Sequence, residues 1–222
     1  MIVRAEETNT MRALQGLRSG SASVRLRAAL AVGTAADSRS VDTLIERCAV
    51  EPDFHVRDML TWALTRHASS VTVPKLVDAL GSESPQARSQ ALHTLSKVGD
   101  RRAWPAITRA LLTDADDEVA RSAWRAAVVL VPEDGRAGLA EVLATQLGRG
   151  VHETQRSLSR ALVALGEAAV PVLRAAATDP AARVRRHAIA TERLLRDPDA
   201  GFGFAVEEAK RIMVLGATAR EE

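Results

Sequence analysis

Tyrosine is absent from this chain of 222 residues, aromatic residues make up only 3 %, and Cys48 is the single cysteine. With so few aromatics, a core has to be assembled layer by layer from alanine, leucine and valine. One cysteine excludes an internal disulfide and a thiolate metal cluster. Chemistry-bearing motifs are missing as well: there is no Gly-rich phosphate loop, no Gly-x-Ser-x-Gly elbow and no dinucleotide fingerprint. Gly201-Phe-Gly-Phe204 carries two glycines but follows no strand pattern. The most apolar run, Ala161 to Ala177, is broken by Glu167 and Arg174 and falls short of a bilayer span. The N-terminus has no basic segment followed by an apolar core, so the cytoplasm is the expected compartment and no membrane contact is expected. A net charge of +2 is too small to argue for nucleic acid.

What is present is a repeat. Val73 to Val98 reads as two short helices joined by a polar turn. Leu76, Val77 and Leu80 share one face of the first helix, and Gly81 can end it. Ser84 can cap the second, with Pro85 at the first helical position, where a missing N–H does no harm. Ala87, Ala91, Leu92, Thr94 and Leu95 then point inward. Aligned on the start of the second helix, copies begin at Val24, Val56, Ala87, Val119, Ser157 and Val184, with steps of 32, 31, 32, 38 and 27 residues. Four, seven and eight residues after each anchor stand small or aliphatic side chains, as in Ala28, Leu60, Ala91, Ala123, Ala161 and Ala188, the exception being Glu192, eight after the last anchor. In the first helices Val73-Pro74, Trp104-Pro105 and Val170-Pro171 occupy one slot. A hairpin of this size cannot hide its apolar face alone, so copies must stack. The expected fold is therefore all-α: a right-handed α-solenoid of about six helical hairpins plus a C-terminal capping helix.

In chain order, residues 1–7 are expected to be loose, followed by a helix from Thr8 to Arg18 with Met11, Leu14 and Leu17 inward and a partner from Ala22 to Gly33. The second unit runs from Ser40 to Ala68, with Asp53 as its inner cap. The fourth pairs Arg102–Thr113 with Glu118–Val131 across the acidic turn Asp114–Glu118. That turn lacks the glycine and distal glutamate of a calcium loop, and carboxylates favour a helix N-terminus in any case. The fifth pairs Ala137–Leu147 with His152–Leu165, and the sixth pairs Val170–Ala177 with Pro180–Leu195. A last helix, Phe204–Leu215, closes the stack through Phe204, Ile212 and Leu215. The whole chain, 1–222, is expected to form a single domain, with 217–222 disordered.

The pattern resembles HEAT-like repeats of the type first named for phycobilisome lyases. The resemblance shows best in Val24-Arg-Leu-Arg-Ala-Ala-Leu-Ala-Val-Gly33 and Ala161-Leu-Val-Ala-Leu-Gly166 and covers residues 8 to 196. Val56–His67 and Ser122–Leu130 are also similar to HEAT modules of actinobacterial regulators of the MerR type, although no winged-helix segment is present. Only Lys75, Lys97 and Lys210 among the 30 basic residues are lysine, an arginine bias that, with abundant alanine, points to a GC-rich bacterial genome. The resemblance specifies fold more than function, since such repeats serve as interaction surfaces, lyase subunits and a few enzymes. Deoxyhypusine hydroxylases need several His-Glu pairs to hold iron; this chain has only His152-Glu153, so neither a metal nor any other cofactor is expected. Nothing marks a bilin site.

The resemblance places the second helices on the concave side, where the slots two, six and ten residues after each anchor form a stripe: Asp58, Trp62, Arg66; Ser89, His93, Lys97; Arg121, Arg125, Val129. Spacing of four keeps each trio on one face. Asp58, Trp62, Arg66, His93, Lys97, Arg121 and Arg125 are accordingly the candidate partner-binding residues. Trp62 would serve as anchor, and the arginines suit an acidic protein or peptide. Trp104 and Trp124 fall in core slots. The expectation is a non-catalytic scaffold module, possible nucleic-acid binding being secondary. The rival is a HEAT-like alkylpurine DNA glycosylase, in which Asp58, Trp62 and Arg66 would line the groove.

Overall fold

A computed structural model describes residues 2–197 and 199–218, with side chains from 9 to 213 apart from residue 198. The protein is an all-α solenoid, and no strand occurs among the described residues. The helices are α1 (Ile2–Gly16), α2 (Ala22–Ala35), α3 (Val41–Val50), α4 (Phe54–Thr65), α5 (Ser69–Ala79), α6 (Pro85–Val98), α7 (Arg109–Leu112), α8 (Asp117–Leu130), α9 (Arg136–Ala144), α10 (His152–Ala164), α11 (Val170–Ala176), α12 (Ala182–Arg196) and α13 (Phe202–Thr218). They fall into two compact units. The first holds the chain up to Thr108 together with Glu118–Leu130; the second holds Arg109–Asp117 and the chain from Val131 onward.

In the first unit α2 packs on α4 and α4 on α6, while α3 packs against both α5 and α6. The slot four residues after each anchor is buried in all six repeats, and the slot eight after in all but the last, where Glu192 is half-buried. The slot seven after is less uniform: Ala31 and Ala164 are exposed. Leu95, 1 % exposed, and Leu165, 2 % exposed, stand among the buried aliphatics. Truncating either to alanine is expected to cost about 2–5 kcal/mol in a denaturant titration, the range for buried leucine. A loss below about 0.5 kcal/mol would remove them from the core.

In four of the six repeats the turn is held by an arginine directly after the anchor. Arg25 Nη1 donates to the carbonyls of Ser19 and Gly20, at 2.9 and 3.0 Å. Arg57 does the same to Glu51 and Pro52, Arg88 to Ser82 and Glu83, and Arg185 to Asp179 and Pro180. These carbonyls lie six and five residues before the arginine, ahead of the helix start, and would otherwise have no helical partner. In the fourth repeat the slot holds Ala120, and Arg149 supplies the missing guanidinium: its Nη2 donates to Asp114 and Ala115 carbonyls at 2.6 and 3.2 Å, and its Nε to Asp117 at 2.9 Å. Asp117 also accepts from Thr154 at 3.0 Å, so the acidic turn is an anchoring point for Arg149. No group of three or more metal-ligating side chains gathers among the described residues.

Several boundaries differ from expectation. Residues 2–7 are helical, since nothing between Ile2 and Glu7 breaks a helix, and α1 therefore starts well before Thr8. Met11 is 59 % exposed, leaving Leu17 as the buried residue of that face. The first helix of the fourth repeat is not continuous. Pro105 removes one N–H from the ladder, and Ile107 leaves the helical region with ψ 82°, so a 3-10 turn, Arg101–Ala106, precedes the single turn of α7. The closing helix starts two residues early, which rotates its face: Phe202, Ala205 and Ala209 join Ala190 and Leu194 in the core, whereas Phe204 and Ile212 are 59 % and 49 % exposed. Residues 217 and 218 complete α13, and the expected disorder of 219–222 lies outside the described residues, as does the side chain of Leu215.

In the second unit His187 is the centre of a buried polar network. Its Nδ1 accepts from the Gly148 N–H at 2.9 Å, which fixes the neutral tautomer with a proton on Nε2. Nε2 faces the Gln155 carbonyl and Ser159 Oγ, both at 3.0 Å, and Ser159 Oγ lies 2.7 Å from Thr191 Oγ1, which donates to the His187 carbonyl. Ser159 and His187 thus have the spacing of a nucleophile and its base. Both are buried, however, and the Ser159 proton is committed to Thr191, so the pair is structural.

Candidate functional site

The second helices of three consecutive repeats enclose a groove of about 240 Å³ within the first unit. α4 contributes Phe54, Arg57 and Asp58; α6 contributes Ser89, Gln90 and His93; α8 contributes Glu118, Arg121, Ser122 and Arg125. Within each helix these residues fall at three- and four-residue spacing, which is what keeps them on one helical face.

Phe54 is 66 % exposed at the first position of α4. An apolar ring this open is unusual in a chain so poor in aromatics. The Arg57 guanidinium carbon sits 6.0 Å from its centroid. Because Arg57 Nη1 is held by the Glu51 and Pro52 carbonyls, Arg57 is a fixed wall of the groove. Arg121 donates to Glu118 at 2.6 Å, and Arg125 to Ser122 Oγ at 3.0 Å. Arg125 therefore bonds a neutral hydroxyl and keeps its charge for an incoming group. Burial, then the neighbouring Arg121, lowers the Arg125 pKa against the pull of Glu118. His93 is likewise pushed below 6.5 by burial first and by Arg125 and Lys97 second, with Asp58 opposing, so it is neutral at pH 7.

Of the seven residues expected to bind a partner, Asp58, His93, Arg121 and Arg125 come together in this groove. Trp62, Arg66 and Lys97 do not line it. The Trp62 ring lies against Gly33 of α2, the indole is 38 % exposed, and the Arg66 guanidinium stands 6.0 Å from its centroid. Lys97 is exposed near the end of α6. Phe54, Arg57, Ser89, Gln90, Glu118 and Ser122 line the groove outside the expected set of seven, Ser89 alone among them belonging to the stripe. Phe54 could have been found: two residues before the anchor, the other repeats carry Ala22, Pro85, Asp117, Gln155 and Ala182, so the one large apolar residue is the outlier.

With that geometry in place, a family model for HEAT repeats matches residues 44–128, the stretch from α3 to α8 that builds the groove. Residues 44–128 are HEAT repeats. The solenoid is similar to the karyopherin Kap121p, solved bound to the extreme C-terminus of the protein phosphatase Cdc14p. That match has 18 % identity, covers 94 % of this chain and 26 % of that one, and has a TM-score of 0.57. It is also similar to the CpcE–CpcF complex of phycocyanin lyase from Nostoc sp. PCC7120 (19 % identity, 84 % and 76 % covered, TM-score 0.47). Human deoxyhypusine hydroxylase in complex with glycerol is a third (17 % identity, 94 % and 97 % covered, TM-score 0.49). Among curated proteins none matches the chain. At 18 % identity the likeness to the karyopherin bears on the solenoid fold alone and leaves function to the site itself.

Proposed function

We propose that this HEAT-repeat chain is a non-catalytic interaction module, acting in the cytoplasm, that takes an acidic peptide or helix of a partner protein into the groove between α4, α6 and α8. The observation that carries this reading is the meeting of one exposed aromatic, Phe54, with arginines from two different helices, Arg57 on α4 and Arg121 and Arg125 on α8. An aromatic contact beside fixed guanidinium groups suits a segment with one large apolar side chain next to a carboxylate. Trp62 and Arg66, farther along α4, and Lys97 on α6 extend the same surface beyond the groove in this reading. A partial precedent for the mode is the karyopherin, which shares the fold and is bound to a C-terminal segment of another protein.

A peptide library selected on the purified protein tests it. Selected sequences should pair Asp or Glu with an aromatic or leucine. Arg121→Glu with Arg125→Glu should weaken their binding by at least about tenfold, while exposed charges seldom change stability by more than about 1 kcal/mol. Trp62→Ala should weaken binding with the salt dependence retained, because it removes contact area and no charge. Undiminished binding by the charge-reversed protein would overturn the proposal. The same preparation is expected to release no base from methylated duplex DNA; excision lost in Asp58→Asn would make the chain an enzyme.

A further inference from the structure

A second cavity, of about 460 Å³, lies wholly within the second unit, between α10, the end of α12 and the start of α13. Its apolar wall is Val163, Leu194 and Phe202, the last two only 9 % and 7 % exposed. The His152 ring meets the Phe202 ring edge-on at 4.8 Å and closes one end. Along α10, His152, Arg156 and Arg160 follow one another at intervals of four, on a single face that borders this wall. Several other arginines of the unit are engaged: Arg149 with Asp117, Arg193 with Glu208, Arg185 with two carbonyls. Among the described residues Arg156 and Arg160 have no ion pair and no hydrogen bond.

Two like charges one turn apart on a helix repel, and with neither side chain paired to a carboxylate the fold gains nothing from them. A cavity in the size range of small-molecule sites, apolar on one side and doubly cationic on the other, matches a ligand with the same division. We propose that this cavity binds a small amphipathic carboxylate. Its unbranched apolar body lies along Val163, Leu194 and Phe202, and its head is held between Arg156 and Arg160. Guanidinium groups grip a carboxylate through paired N–H donors, which favours an acid over an alcohol of equal length. The site is separate from the HEAT groove and does not depend on the reading given for it.

Titration calorimetry of the full chain with hexanoate, octanoate and decanoate, all kept below micelle formation, is the test. Binding should saturate at one equivalent and strengthen about fourfold per added methylene until the cavity is full. Decanol should bind at least about tenfold more weakly than decanoate. Arg156→Gln with Arg160→Gln should lose at least about tenfold in decanoate affinity with its melting temperature unchanged, because neither side chain holds a partner in the fold. Val163→Glu, which sets a carboxylate in the apolar wall, should abolish binding while leaving the helical circular dichroism intact. Absence of saturable binding, more than one equivalent bound, equal affinity for decanol, or full affinity in the double arginine variant would each overturn the assignment.

Discussion

Glu51→Ala is expected to destabilise the protein by about 3–5 kcal/mol, the cost of leaving a buried charge uncompensated. Glu51 is fully buried, and its carboxylate accepts from Arg25 Nε and Nη2, both at 2.7 Å, from Arg47 at 2.7 and 2.8 Å, and from the Asp53 N–H at 2.9 Å. One carboxylate thereby ties the first repeat's second helix, through Arg25, to the inner turn of the second repeat. Removing it strands two guanidinium groups, of which Arg25 is only 6 % exposed. The double variant Arg25→Leu, Glu51→Leu should recover part of the loss, since a buried pair can be replaced by apolar groups at small cost. Recovery should stay incomplete, because Arg25 also satisfies the Ser19 and Gly20 carbonyls. Denaturant titrations of the two singles and the double give the coupling; a single-variant loss below about 1 kcal/mol would refute the assignment.

The same residue shapes the acid limb of stability. Burial opposes the charged form of Glu51, yet the bonds from Arg25, the Asp53 N–H and Arg47 outweigh it and hold the pKa at about 2, below the ordinary 4.5. A depressed carboxylate contributes stability that is complete above pH 4.5 and is lost as pH falls toward 2. His187, pushed by burial from 6.5 to about 4, adds an earlier loss. The unfolded chain takes up the proton first, so stability begins to fall below pH 6.5. A two-step decline is therefore expected, and Glu51→Gln should shrink the lower step, to which Asp37, Asp100 and Glu207, also held below the ordinary carboxylate range by their ion-pair partners, contribute the rest.

How far the sequence could be read depends on what each residue type reports. Periodicity in Ala and Leu gave the hairpins and their register, because burial in a stacked helix imposes it directly. The arginine after four of the six anchors was visible as a repeated letter, but its purpose was not: binding carbonyls five and six residues back is a property of the turn's path. The stripe of outward slots was legible where helices run in register, and five of its members, Asp58, Ser89, His93, Arg121 and Arg125, do share the groove. Phe54 escaped because it stands ahead of the first inward position, where helical periodicity says nothing about direction. The closing helix was misphased for the same reason, since Phe202 and Phe204 differ by two positions and only packing against Leu194 decides between them.

Glycine shows how one letter at one slot hides two physical causes. Gly33 and Gly166 both stand nine residues after their anchors. Gly166 has φ +59° and open space around it, so its conformation is what favours glycine. Gly33 lies inside α2, and a Cβ there would meet Trp62 Cζ3 at 2.6 Å, Ala63 Cα at 2.7 Å and Ala63 Cβ at 2.8 Å. Helix propensity alone would make Gly33→Ala stabilising by about 1 kcal/mol. The indole can swing away, but the Ala63 backbone cannot move unless α2 and α4 part, and overpacking of this kind costs about 1–3 kcal/mol or more. The clash should win, with a net loss of about 1–2 kcal/mol and a shift in Trp62 fluorescence. Gly138→Ala is the control: that glycine is in α9 with nothing within 4 Å of an added Cβ, so there the propensity gain should appear unopposed. Opposite signs for the two substitutions would place the α2–α4 approach under Trp62 as the reason for Gly33. A stabilising Gly33→Ala would mean that the two helices are not held this closely.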